Sequence, residues 1–240
     1  MDTEAEILWE ERCCDGLAAY GARRTENAII SWRAAALIAE RFDGDDPRRA
    51  ATQSNLGLAL AIERRLDEAD AACQSAAAAW QAARSWVATM SADGTARSST
   101  FHHRLELKHQ DSFAEHYRRR HQTLCAGAAS LTSFNHGLVL IALDRGPVGI
   151  ALVGEAVRVR CASFGASNPE LLSMIEITAD LAPETVPAEV AHARTHLGHG
   201  ECGRSMPERW RMDRPPQMND RRRLLGAVCM TGLMARDDLP

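Results

Sequence analysis

The chain has 240 residues, a formal net charge of −4 and 45% hydrophobic residues, enough apolar material for a packed core and too much for wholesale disorder. Aromatic residues make up only 5% while 41 residues are Ala, a balance that favours helices over a sandwich or barrel. A slightly acidic chain argues against a nucleic-acid binder, and the preference for Arg over Lys (Lys108 stands alone) carries no functional reading.

Residues 4–182 break into amphipathic helical segments separated by turn signals. The first, capped by Asp2 or Thr3, sets Ile7, Leu8 and Leu17 on one face. Its acidic start lacks the basic and apolar regions of a signal peptide. Gly21 and Thr25 mark a break, with Thr25 as N-cap of a second segment that carries Ile29, Trp32, Ala36 and Ile38. That segment stops at Phe42-Asp-Gly44-Asp-Asp-Pro47. The third runs from Arg48 to about Arg64 and the fourth from about Asp67 to Met90. Residues 91–100 read as a loop, after which Phe101, Leu105, His109, Phe113 and Tyr117 fall at four-residue spacing, with a break at Asp111-Ser112. Further segments cover about 129–143 and 148–163, turned by Arg145-Gly146-Pro147 and closed by Phe164-Gly165 and Pro169. A last segment spans about 170–181. Residues 183–240 hold six of the nine prolines and read as a poorly ordered tail with one short helix near 221–234. No apolar run reaches the ~18–20 residues of a membrane span. Seven thinly spread cysteines fit free thiols in a reducing, cytoplasmic compartment.

Self-comparison gives the most informative signal. Asn55-Leu56-Gly57 recurs as Asn135-His136-Gly137, 80 residues on, or two periods of 40. Counting from each Gly, the residues twelve, sixteen and nineteen later are Ala69, Cys73 and Ala76 in one copy and Gly149, Val153 and Ala156 in the other. Gly16, Ala28, Trp32 and Ala35 fit the same ruler. Two antiparallel helices of about four turns joined by a tight turn need small side chains where their backbones cross, and larger ones to fill the gap to the next pair. A single pair cannot bury its apolar face, so several must stack.

These positions resemble the tetratricopeptide repeat. The longer period, with the connector Phe42-x-Gly44-x-x-Pro47 and then Ala51 to Gly57, is similar to the kinesin-light-chain subtype. The resemblance implies an all-α chain: a right-handed α-solenoid of antiparallel helix pairs over residues 4–182. Its repeats fall at about 8–42, 47–84, 98–127 and 129–165, with a half-repeat at 169–182. It further implies a non-enzymatic scaffold or adaptor, without cofactor, that takes a partner peptide in a concave groove. In that family the Asn before the Leu-Gly pair hydrogen-bonds peptide backbone, which points to Asn55 and Asn135. One turn away on the same helix faces stand Ala51, Leu58 and Ile62, and Leu131, Leu138 and Ala142, an apolar lining suited to an apolar or amphipathic peptide. The half-repeat lacks a polar capping helix, which makes its face a candidate for homodimerisation.

Other constellations are weaker. His102, His103, His109, His116, His121 and Cys125 lie within 24 residues, and His196, His199 and Cys202 stand at three-residue spacing; metal binding through such clusters is one alternative, a polar helix face the plainer one. Arg118–Arg120 and Arg221–Arg223 could touch nucleic acid or acidic ligands, although the first triplet sits among Glu106, Asp111 and Glu115. No nucleophile elbow, phosphate loop or zinc-protease signature is present.

Overall fold

The computed structural model describes residues 3–89 and 114–165, with residues 171, 174, 175, 177 and 178. Every element among them is helical: α1 (Thr3–Gly21), α2 (Thr25–Ala39), α3 (Pro47–Ile62), α4 (Leu66–Thr89), α5 (Ala114–Ala142) and α6 (Gly146–Phe164). The five described residues from 171 to 178 are helical as well, where the last segment is expected. The loop at 91–100, the aromatic stripe from Phe101 to Phe113 and the tail at 183–240 lie outside the described residues. The chain divides into two compact units, one containing residues up to Ala129 and the other beginning at Ser130.

In the first unit α1 packs on α2, α2 on α3 and α3 on α4. The central helix is α3, with 13 of its 16 residues buried. Its start is specified locally. Asp46 accepts from the Arg48 backbone N–H at 2.9 Å, and Pro47 occupies the first turn, where its missing N–H costs nothing. Two indoles clamp this helix. Trp9 Nε1 of α1 donates to Thr52 Oγ1 at 2.9 Å, and Trp80 Nε1 of α4 donates to Ser54 Oγ at 3.0 Å. Each hydroxyl passes its own proton to the carbonyl four residues back, Arg48 and Ala50, both at 2.7 Å. Trp9 and Trp80 therefore enter the core with their polar ends satisfied.

A buried ion cluster ties α1 to the α2–α3 connector. Arg48 Nη1 donates to Glu6 Oε1 at 2.8 Å and its Nη2 to Asp46 Oδ2 at 2.6 Å, while its guanidinium carbon lies 3.9 Å from the Phe42 ring centroid and 5.7 Å from that of Trp9. Burial alone would depress the Arg48 pKa. Hydrogen bonds and charge from Asp46 and Glu6 outweigh it and raise the value above the ordinary range. The Phe of the connector thus serves as a stacking plate for an arginine. In the second unit Phe164, the last residue of α6, carries a buried arginine from its own helix: the Arg160 guanidinium lies 4.7 Å from its ring centroid.

Three turns join the helix pairs, and all three are alike. Arg23, Arg64 and Asp144 each sit at positive φ, 59°, 65° and 60°. The next residue in each turn, Arg24, Arg65 or Arg145, donates its backbone N–H to a carbonyl five residues back, at 2.8, 3.0 and 2.9 Å. This is the six-to-one bond of a Schellman ending, made without glycine. Thr25 is not an N-cap as expected; Arg24 holds that place without a side-chain bond, because the turn already orders the backbone. The segment expected to begin at about 129 also begins earlier. Helix α5 runs unbroken from Ala114 to Ala142, carried through Gly127 by Ala126, Ala128 and Ala129.

Candidate peptide-binding faces

The site is built from helix crossings. A methyl group on Gly57 would lie 2.9 Å from Cys73 Sγ and 3.5 Å from the Ala69 carbonyl. One on Gly137 would lie 2.7 Å from both the Gly149 carbonyl and Val153 Cγ2, and one on Gly16 would stand inside the Trp32 indole. In all three hairpins the Gly meets the residue sixteen positions later, and in two of them the residue twelve later. The crossing fixes the rotation of the first helix, and so fixes where the residue two before each Gly points.

Those residues are Cys14, Asn55 and Asn135. Cys14 is exposed, whereas Asn55 is 2% and Asn135 6% accessible. The Oδ1 atoms of both asparagines are buried and accept no hydrogen bond among the described residues. A buried acceptor left so costs about 1–3 kcal/mol, and here the same atom type recurs at the same place in two hairpins. The other polar atoms in that condition are Tyr20 Oη and Trp32 Nε1, whose rings lie 5.9 Å apart in the α1–α2 hairpin.

Of the neighbours expected beside Asn55, Ala51 and Leu58 are buried and Ile62 is half-buried. Beside Asn135, Leu138 is buried, and Leu131 and Ala142 are half-buried. The sequence brings each set onto one helix face, but those faces are shielded more than an open groove requires. Asn55 belongs to the first unit and Asn135 to the second, so each set is a local face of its own hairpin.

Cys73, beneath Gly57, is buried, and its thiol is pushed up to about 12 by burial, with the Asp70 charge adding to the shift. The Cys125 thiol is pushed up to about 12 by burial, against the opposing charge of Arg84. Neither supplies a thiolate near neutrality. His116 and His121 lie on α5, and the remaining histidines of both clusters, with Cys202, fall outside the described residues. Among the described residues no three His, Cys, Asp or Glu side chains gather to hold a metal. Arg118–Arg120 lie on α5 and Arg221–Arg223 outside the described residues. Cys125–Ala142 of α5 is 18 residues long with mean hydropathy 1.3, enough by length and composition to cross a membrane, and 67% of it is buried inside the fold.

Sequence reasoning missed two features. The Glu6–Arg48–Asp46 cluster joins residues 42 positions apart, and only the Phe next to the connector hinted at a stacking arginine. Cys14 at the asparagine position was recoverable by extending the ruler to Gly16. The chain matches no family model, no curated protein and no solved structure.

Proposed function

We infer that the chain is a non-enzymatic binding protein of the solenoid type its repeats resemble, taking a partner peptide along the first-helix faces that hold Asn55 and Asn135. The observation that carries this reading is the pair of buried carboxamide oxygens without donors, set at equivalent positions by equivalent helix crossings. A peptide backbone N–H supplies the missing donor, and the carboxamide NH2 offers a proton to a peptide carbonyl in return. The apolar side chains one turn to either side favour an apolar or amphipathic ligand. Because both asparagines are shielded in the free chain, the receptive form is a minor one, and apparent affinity is reduced by its fractional population.

The test is a peptide selected by display against the full chain, with affinity followed by calorimetry. Asn55→Leu and Asn135→Leu keep the branched four-atom side-chain skeleton and remove the orphaned oxygen. They are expected to weaken binding at least tenfold while leaving thermal stability equal or higher. If both variants bind as the parent does and melt earlier, the asparagines are packing residues and the reading fails.

A further inference from the structure

We propose that the α3 face holding Asn55 is a docking surface for residues 224–235 of this same chain, which compete there with a partner peptide. The competition rests on the peptide-binding reading above; the docking itself does not.

Three described helices approach α3 from three sides. Helix α1 reaches Arg48 through Glu6 at 2.8 Å and Thr52 through Trp9 at 2.9 Å. Helix α4 reaches Ser54 through Trp80 and crosses α3 at Gly57. The chain arriving from α2 meets Arg49, whose Nη1 donates to the Phe42 carbonyl at 3.2 Å. With 3.6 residues per turn, Ala51, Asn55 and Leu58 share an arc of about 60° on a fourth side, facing away from Arg49. None of the contacts just named lies on that arc. Yet the three residues are only 1%, 2% and 1% exposed.

The chain carries a segment suited to cover them. Leu224 to Ala235 is twelve residues without a charge, the longest such run outside the described residues. The compact unit that holds α1 to α4 also takes in the residues from Ala227 onward. An apolar segment matches the Ala51 and Leu58 side chains, as an apolar partner peptide would. Charge agrees with the pairing. Residues 3–89 carry fourteen acidic and ten basic side chains, whereas 221–236 carries four arginines and no acid.

Photo-cross-linking in the full chain tests the docking. Benzoylphenylalanine replaces Ile62, half-buried on the same side of α3, and the adducts are mapped by mass spectrometry. An adduct within one chain to residues 224–235 is expected. The double variant Val228→Glu, Leu233→Glu should reduce it at least tenfold, with circular dichroism showing that the helices persist. Adducts to other segments or between two molecules, or an adduct indifferent to the two charges, overturn the proposal. The competition is read separately. A display-selected peptide should bind the double variant at least tenfold more tightly than the parent, because the face is free more of the time. Equal affinity for both overturns the competition even where the adduct forms. If the adduct forms and obeys the charges while neither chain yields a peptide ligand, the docking stands and it is the peptide-binding reading that fails.

Discussion

The α3–α4 and α5–α6 hairpins follow one spacing rule and meet it with different atoms. In α5–α6 there is glycine on both sides, and a methyl on either would strike backbone: 2.7 Å from the Gly149 carbonyl in one direction and 2.6 Å from the Gly137 carbonyl in the other. In α3–α4 the partner of Gly57 is Ala69, and the tightest neighbour is the sulfur of Cys73, the end of a side chain. Two backbones in contact form a rigid constraint, whereas a glycine against a thiol leaves an adjustable one. A repeat position therefore specifies a clearance, and how costly it is to violate depends on what lies across it.

The largest expected effect breaks that symmetry. Gly137→Ala should destabilise the second unit by about 2–3 kcal/mol in chemical denaturation, since backbone must shift. Gly57→Ala should fall within about 1 kcal/mol of the parent, because better helix propensity offsets a small displacement of Cys73. Adding Cys73→Ala should remove the remaining clash. Equal costs in both hairpins would show that the clearances are equivalent after all.

Alkaline pH separates the regions in a second way. Cys73, Cys125 and Tyr20, all in the first unit, are pushed up to about 12 by burial. Each stays protonated in the fold and ionises when the chain unfolds, so the unfolded state binds fewer protons above its own pKa. Stability is then full below about pH 9 and falls as the pH climbs toward 12, by about 1 kcal/mol per thiol between pH 9 and 10. Melting curves recorded from pH 8 to 10.5 should show the first unit's transition moving to lower temperature. A transition independent of pH would mean that these thiols ionise in the folded state.

The smallest effect should be the same in both hairpins, because their turns are alike. Arg64→Gly and Asp144→Gly each relieve a left-handed residue, with a gain of at most about 1 kcal/mol after the extra freedom glycine gives the unfolded chain. A gain in one turn and a loss in the other would show that a side chain at that position makes a contact worth keeping.

These contrasts also mark what the sequence made legible. The crossings were readable because close approach of helices admits only small residues, and Gly57, Ala69, Gly137 and Gly149 leave that trace at fixed spacing. The turns were located but not explained: glycine is the usual sign of a left-handed ending, and here Arg23, Arg64 and Asp144 adopt it under hydrogen-bond constraint. The segment expected over about 129–143 is only the C-terminal half of α5, which begins at Ala114, because a run of Ala around Gly127 carries the helix through. The shielding of Asn55 and Asn135 was beyond periodicity altogether, since spacing tells which face a residue shares and says nothing of what lies over that face. The charge at Arg48 was equally hidden, its neutralising partner Glu6 arriving from another helix.

The placement of the indoles has a practical consequence. Trp9, Trp32 and Trp80 are buried in the first unit, and no tryptophan occurs between Ser130 and Gly165 in the second. With Trp210, which falls within the second unit's span, replaced by Phe, intrinsic fluorescence watches the first unit while far-ultraviolet ellipticity sums over both. If the two melt separately, the optical transitions will part company, and the gap between them will give the second unit's stability without any label being attached.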